Sequence, residues 1–366
     1  MLASPFFPLL LSSLAVVQAI PEIKLGKTTL SGRDISPRVE FYGGIPFAEP
    51  PVGALRLRPP ILKTRLDART FNASEYGKGC LQPFADPSTL SEDCLTINIH
   101  RPKGLKSSAK LPVLFWTYGG GFGVGSSNTY NGSEIVEKSV ARGTPLIFVN
   151  FNYRLGPLGF PQGQEADDQR SLNLGVLDLM AALEWVQAKI GFFGGDKEKV
   201  TIFGESAGSI MTGLLYMSPE LEHWARGAVL TLYPEDPSVG SPYGTGVELF
   251  GLPASYKRHA SIVGDLVFDA PRRMLSVAAA KAGVKSYVYQ FTQPQPERLT
   301  GVAHSSEVQF VFGQVPPTGP GNLPTTMLTY GNADEAARNV STIMMDYWIS
   351  FAVSLNPNDG KGIKRQ

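Results

Sequence analysis

Residues 200–209, Val-Thr-Ile-Phe-Gly-Glu-Ser-Ala-Gly-Ser, constrain this 366-residue chain more than any other stretch. A short apolar run with strand character ends in Gly-x-Ser-x-Gly, and the apolar segment 210–215, Ile-Met-Thr-Gly-Leu-Leu, follows as a helix would. A strand that delivers the chain to a sharp turn needs residues without a Cβ where it bends, and Gly204 and Gly208 stand there. Ser206 is then held at the tip with its hydroxyl exposed. A Gly-x-Ser-x-Gly alone is a weak signal; its place between strand and helix makes Ser206 a candidate nucleophile.

The same strand–helix alternation extends upstream. Residues 111–118 and 145–151 are continuous apolar runs, as strands buried on both faces require. Leu174, Leu177, Ala181, Leu183 and Val186 recur near helical spacing over 173–190, and the glycines of 191–196 stop that helix before the strand 200–203. Strand, helix, strand in this order predicts parallel βαβ units and the α/β class, with a mostly parallel central sheet and helices on both faces. Short strands are expected over 20–60, a helix over 253–282, a strand over 286–291 and a helix over 334–355. No repeat or linker divides 20–366, so one domain is expected.

Residues 1–19, MLASPFFPLLLSSLAVVQA, have an apolar stretch and end in Val-Gln-Ala. They read as a secretory signal peptide, and the run is too short for a stable membrane span. Export suits the two cysteines, Cys80 and Cys94, whose bridge would close the loop 80–94 and contribute about 3 kcal/mol. It also gives meaning to the glycosylation sequons at Asn72, Asn131 and Asn339. A formal net charge of +1 offers no basic footprint for nucleic acid. No Cys/His spacing suggests a metal, and no cofactor is expected. The oligomeric state is not legible.

A serine hydroxyl needs a base to take its proton and donors to hold the developing oxyanion. After the strand 111–118 comes Gly119-Gly-Gly-Phe122, where backbone N–H groups can converge. Gly120 and Gly121, with the N–H of Ala207 just after the serine, are the candidate oxyanion hole. The chain has four histidines. His100 precedes the serine in a strand, His223 follows the elbow closely, and His259 lies inside a helical run. His304 alone occupies a loop after a strand and is the candidate base.

Taken together, these segments resemble the type-B carboxylesterases, the α/β-hydrolase family that includes cholinesterases and secreted fungal lipases. The likeness runs through Gly-Ile-Pro-Phe-Ala-Glu-Pro-Pro at 44–51, Ser-Glu-Asp-Cys-Leu-Thr-Ile-Asn at 91–98 and Asn-Tyr-Arg-Leu-Gly-Pro-Leu-Gly-Phe at 152–160, besides the motifs above. Segments at 233–238, 250–252 and 256–258 look most like the fungal lipases. The resemblance implies an ester hydrolase working through an acyl-serine intermediate. It implies Ser206 as nucleophile, His304 as base and Gly120, Gly121 and Ala207 as oxyanion donors. It further implies a Cys80–Cys94 bridge, two buried ion pairs (Arg56 with Glu92, Arg154 with Asp178) and a small-molecule or lipid ester as substrate.

Two departures from the family bear on activity. Relatives with strong interfacial activation carry a long lid within the first disulfide loop, whereas residues 81–93, with Pro83 and Pro87, leave little room for one. An open site is expected, suited to soluble or short-chain esters. The second departure concerns the triad order Ser, acid, His. The family's acid sits in a Gly-containing turn after the elbow. Here the acids between Ser206 and His304 are Glu220, Glu222, Glu235, Asp236, Glu248, Asp265, Asp269 and Glu297, and none precedes a glycine. The family's long segment after the next strand, with its second cysteine pair, is missing near 230–231. Asp265 matches another acidic family position. Glu205 and Glu307 lie close enough in sequence to orient His304. An internally shortened, weakened esterase is therefore expected, with a non-enzymatic binding protein on the same fold as the alternative.

Overall fold

The computed structural model describes residues 20–215, 221–224, 227–230, 270–289, 291–293, 302, 304–315 and 334–362. The expected signal peptide 1–19 and the stretch 253–269 of the expected helix fall outside them. The strands are β1 (Glu22–Leu25), β2 (Thr28–Ser31), β3 (Arg33–Asp34), β4 (Val39–Pro46), β5 (Thr70–Asn72), β6 (Gly79–Cys80), β7 (Leu90–Ser91), β8 (Thr96–Pro102), β9 (Leu111–Thr117), β10 (Ile147–Phe151), β11 (Gly195–Gly204) and β12 (Gly227–Leu230). The helices are α1 (Ser133–Ala141), α2 (Gly156–Gly159), α3 (Gln164–Asp168), α4 (Leu174–Lys189), α5 (Ala207–Leu215), α6 (Leu221–Trp224), α7 (Ala270–Lys281), α8 (Val308–Val311) and α9 (Glu335–Ser354).

The main sheet runs β12-β11-β9-β10-β8-β4-β3. β9 pairs in parallel with β10 and β11, and β11 with β12, while β10–β8, β8–β4 and β4–β3 are antiparallel. The parallel half is the one the apolar runs foretold: every residue of β10 and the last five of both β9 and β11 are buried. β11 starts earlier than expected, at Gly195, because its register against β9 shifts between Gly195 and Val200. From β9 the chain crosses to β10 on one side and later to β11 on the other. Such a reversal leaves a crevice at the carboxyl ends of the strands.

Helix boundaries follow local chemistry. α4 buries Leu174, Leu183 and Val186 as the sequence period foretold, together with Asp178, Leu179, Ala182 and Trp185, whereas Leu177 and Ala181 of that period are only partly buried. α9 starts where the Asp334 carboxylate accepts the Ala337 N–H at 2.8 Å and ends at Leu355 in the left-handed conformation, matching the expected 334–355. It lies across the sheet: Trp348 packs on Phe203 of β11 at 4.9 Å between ring centres. Arg142, at the end of α1, donates to the Asp346 carbonyl, the Ser350 hydroxyl and the Asp359 carboxylate.

Residues 286–289 of the expected strand 286–291 have no ladder partner among the described residues, and residue 290 lies outside them. A strand needs a neighbouring edge, and among the described residues none lies beside 286–289.

Of the two implied ion pairs, one is buried. Arg154 meets Asp178 through Nη2–Oδ1 at 2.6 Å and Nε–Oδ2 at 2.8 Å, and the same carboxylate takes the Arg154 N–H. Asp178 is inaccessible to water, and burial raises its pKa against the pull of Arg154. Removing one partner leaves the other charge stranded, so Asp178→Ala is expected to cost about 3–5 kcal/mol by denaturant titration. A midpoint within error of wild type would show that Arg154 finds water instead. Arg56 and Glu92 do pair, at 2.6 Å, but their side chains keep 51% and 24% of their exposure. The buried character expected for them is corrected: the pair sits on the rim, where screening leaves little energy.

The cysteines are joined, Cys80 to Cys94. Between them lie β7 and a single 3₁₀ turn, Pro87–Thr89, capped by Asp86; no α-helix forms there. Phe84 in this loop is fully exposed. Asn72, Asn131 and Asn339 are exposed as well.

Candidate active site

The elbow forms at the carboxyl end of β11. Ser206 has φ 52°, a left-handed conformation that a side chain other than Asn or Asp seldom adopts. The turn is closed from below: the Glu205 carbonyl accepts the N–H groups of Gly208 and Ser209 at 2.8 and 3.3 Å. It is clamped to β9 as well. A Cβ on Gly208 would lie 2.1 Å from the Thr117 carbonyl oxygen and 2.5 Å from that of Tyr118. Only glycine lets α5 leave the sheet this close to the neighbouring strand.

The glycine loop follows β9, next to β11 in the sheet, so adjacent strand ends bring it to the elbow. A Cβ on Gly119 would meet Ser206 Cβ at 2.6 Å and the Glu205 carboxylate at 2.4 Å. The loop then turns through Gly120 at φ 107° and Gly121 at φ 60°, and the Gly120 carbonyl accepts the N–H groups of Gly123 and Val124. Ala207 is the first residue of α5, where an N–H has no partner within its own helix.

The histidines separate by environment. His100 is wholly buried in β8 between Phe41 and Phe148, with Nε2 3.2 Å from the Tyr76 hydroxyl. Burial pushes its pKa down to about 3, so it stays neutral. His223 is exposed on α6 and pairs with Glu184 at 3.2 Å. His259 lies outside the described residues. His304, in the turn before α8, is the described histidine that reaches the elbow. Its Nε2 lies 3.0 Å from Glu205 Oε1, and Glu205 is only 3% exposed.

Ser305, held at φ 70°, donates its hydroxyl to the same Glu205 oxygen. This serine was not singled out in the sequence, since adjacency to a histidine says nothing about where its hydroxyl points. Glu205 and Glu307 together line a small cavity with Trp116, Val308, Val311 and Trp348. The side chains of all eight acids between Ser206 and His304 lie outside the described residues.

The aromatic residues near the site belong mostly to the core. Phe203, Phe310 and Phe312 are buried, Phe203 and Phe312 against Trp116 at 4.7 and 4.9 Å. Phe122 alone is partly exposed, beside Phe160. Among the described residues, no three His, Cys, Asp or Glu side chains converge as a metal would need.

A sequence profile of the Carboxylesterase family matches residues 20–231 and 252–365. The chain is 39% identical over 287 residues to the secreted triacylglycerol lipase LIP1 of Gibberella zeae, covering 69% of this chain and 48% of that one. It is 45% identical over 195 residues to secreted lipase 1 of Botryotinia fuckeliana, covering 47% and 34%. A fumonisin B1 esterase of Sphingopyxis macrogoltabida is 37% identical over 305 residues, covering 78% and 52%. The chain thus spans about half the length or less of these curated relatives. Among solved structures, Aspergillus niger EstA superposes with a TM-score of 0.74 at 22% identity, covering 95% of this chain and 91% of that one. A thermophilic pNB esterase does so at 0.75 and 23%, covering 93% and 92%. These two likenesses establish the α/β-hydrolase fold.

Proposed function

Because the chain belongs to the carboxylesterase family, we propose that it hydrolyses carboxylic esters through an acyl-serine intermediate on Ser206. The observation that carries this reading is the left-handed Ser206, held on the elbow with the Gly119 turn packed against it. The Ser206 oxygen attacks the ester carbonyl and its proton passes to His304. The tetrahedral oxyanion is held by the N–H groups of Gly120, Gly121 and Ala207, which prearranged dipoles do without reorganising. His304 returns the proton to the departing alcohol, and water then releases the acid.

Small soluble esters are the proposed substrates. Residues 81–93 offer only a 3₁₀ turn where a lid helix would otherwise lie. Export is part of the same reading, supported by the leader-like 1–19, the Cys80–Cys94 bridge and relatives that are named as secreted. So are glycans on Asn72, Asn131 and Asn339. Among the described residues, no helix is long and apolar enough to cross a membrane. Internal shortening near 230–231 is part of the same proposal and would leave the enzyme weak.

A fluorophosphonate probe reports on an activated serine without needing turnover. The expected result is covalent label on the peptide that contains Ser206. A chain that stays unlabelled, or is labelled elsewhere, overturns the acyl-serine reading and favours a binding protein on this fold.

A further inference from the structure

We infer that Glu205 is the residue that positions His304 in this chain, taking over the holding role of a triad acid. The inference rests on the acyl-serine reading above. Glu205 is buried, its carboxylate lies 3.0 Å from His304 Nε2, and its backbone is fixed on both sides of the elbow. Its N–H donates to the Thr117 carbonyl and its carbonyl receives two amides of α5. Ser305 donates to the same oxygen that faces the ring, which sets the carboxylate's rotation. A buried carboxylate on a backbone fixed by three hydrogen bonds has little freedom to leave its histidine.

The arrangement reverses the usual use of the ring. In the Ser-His-Asp template the acid holds Nδ1–H and Nε2 faces the serine. An ionised carboxylate only accepts hydrogen bonds, so Glu205 keeps the proton on Nε2 and leaves the lone pair on Nδ1. On this inference Nδ1 is the nitrogen that receives the Ser206 proton, and the imidazolium so formed is stabilised across the Nε2–Glu205 contact.

Glu205→Gln keeps the shape and removes the charge. It is expected to slow fluorophosphonate labelling of Ser206 about tenfold with an unchanged melting temperature, less than the roughly 10²–10⁴ of a whole acid–base contribution because the amide oxygen of Gln can still hold the ring. Glu205→Ala should be slower still, and added formate should restore part of its rate, since truncation vacates the space that the native carboxylate fills. Glu307→Gln, which alters the other acid of that cavity, should label nearly as wild type does. Unchanged or faster labelling of Glu205→Gln, or a Glu205→Ala rate that formate does not raise, overturns the inference. So does a loss confined to Glu307→Gln.

A second measurement does not depend on catalysis. Diethyl pyrocarbonate modification, mapped by mass spectrometry, should reach His304 several-fold faster in Glu205→Gln than in wild type, with exposed His223 as the internal reference. If wild type takes no fluorophosphonate, the acyl-serine reading fails. The carbethoxylation rates still decide the Glu205 contact, and equal rates at His304 overturn it.

Discussion

On the proposed shortening near 230–231, a version of this chain with the missing segment restored after Leu230 is expected to hydrolyse p-nitrophenyl esters at least about a thousand-fold faster than the chain as it stands. Removing the acid of a serine triad costs about 10⁴ in kcat, and about tenfold of that is discounted because Glu205 holds His304. The longer version should also melt at a higher temperature. α5, which follows Ser206, shows water Ile210 at 50% and Leu214 at 42% exposure, four residues apart on one face. α7 shows Met274 at 74% and Val277 at 54%. Covering such side chains is worth about 25 cal/mol per Å² of apolar surface. Equal kcat and melting temperature for the two versions would show that the short chain is complete in itself.

Replacing Gly208 is expected to have the largest effect on folding. In a helix Ala is ordinarily better than Gly by about 1 kcal/mol. Here the added methyl would lie 2.1 and 2.5 Å from two carbonyl oxygens of the β9 end, and neither atom belongs to a flexible side chain. Overpacking of this kind costs about 1–3 kcal/mol where neighbours can shift and more where they are backbone. Gly208→Ala should therefore lower stability by about 3 kcal/mol or more, and Gly208→Val should give no soluble protein. An unaltered denaturation midpoint for Gly208→Ala would mean that α5 stands farther from β9 than described.

Much of the scaffold was legible because its causes are local. Uninterrupted apolar runs at 111–118 and 145–151 can only be strands covered on both faces, and the glycines around Ser206 bend the chain at the end of one. Caps such as Asp334 fixed the limits of α9 in the same way. What escaped depends on partners distant in sequence. Residues 286–291 have strand-like composition, yet a strand is a property of two edges. Arg56 and Glu92 pair as family likeness implied, but their exposure is set by how the 80–94 loop lies over them, which no local pattern encodes. At the site, Ser206 and the glycine turn could be read directly. The partner of His304 could not: Glu205 and Glu307 were equally placed in sequence, and only the packing of the elbow against the 304–307 turn aims Glu205 at Nε2.

The position of α9 carries a consequence for how the protein is made. Trp348 covers Phe203, Ser341 ties the Phe310 carbonyl, and Arg142 reaches Ser350 across a sequence separation of 208. A polypeptide leaving the ribosome therefore completes β9, β10 and β11 long before the helix that shields one face of them exists. During that interval an apolar sheet face is open to other nascent chains, the hazard that attends contacts of long range. Translation halted anywhere before residue 335 would release a product unable to close its own sheet. α9 is thus the step at which this sheet face closes during synthesis.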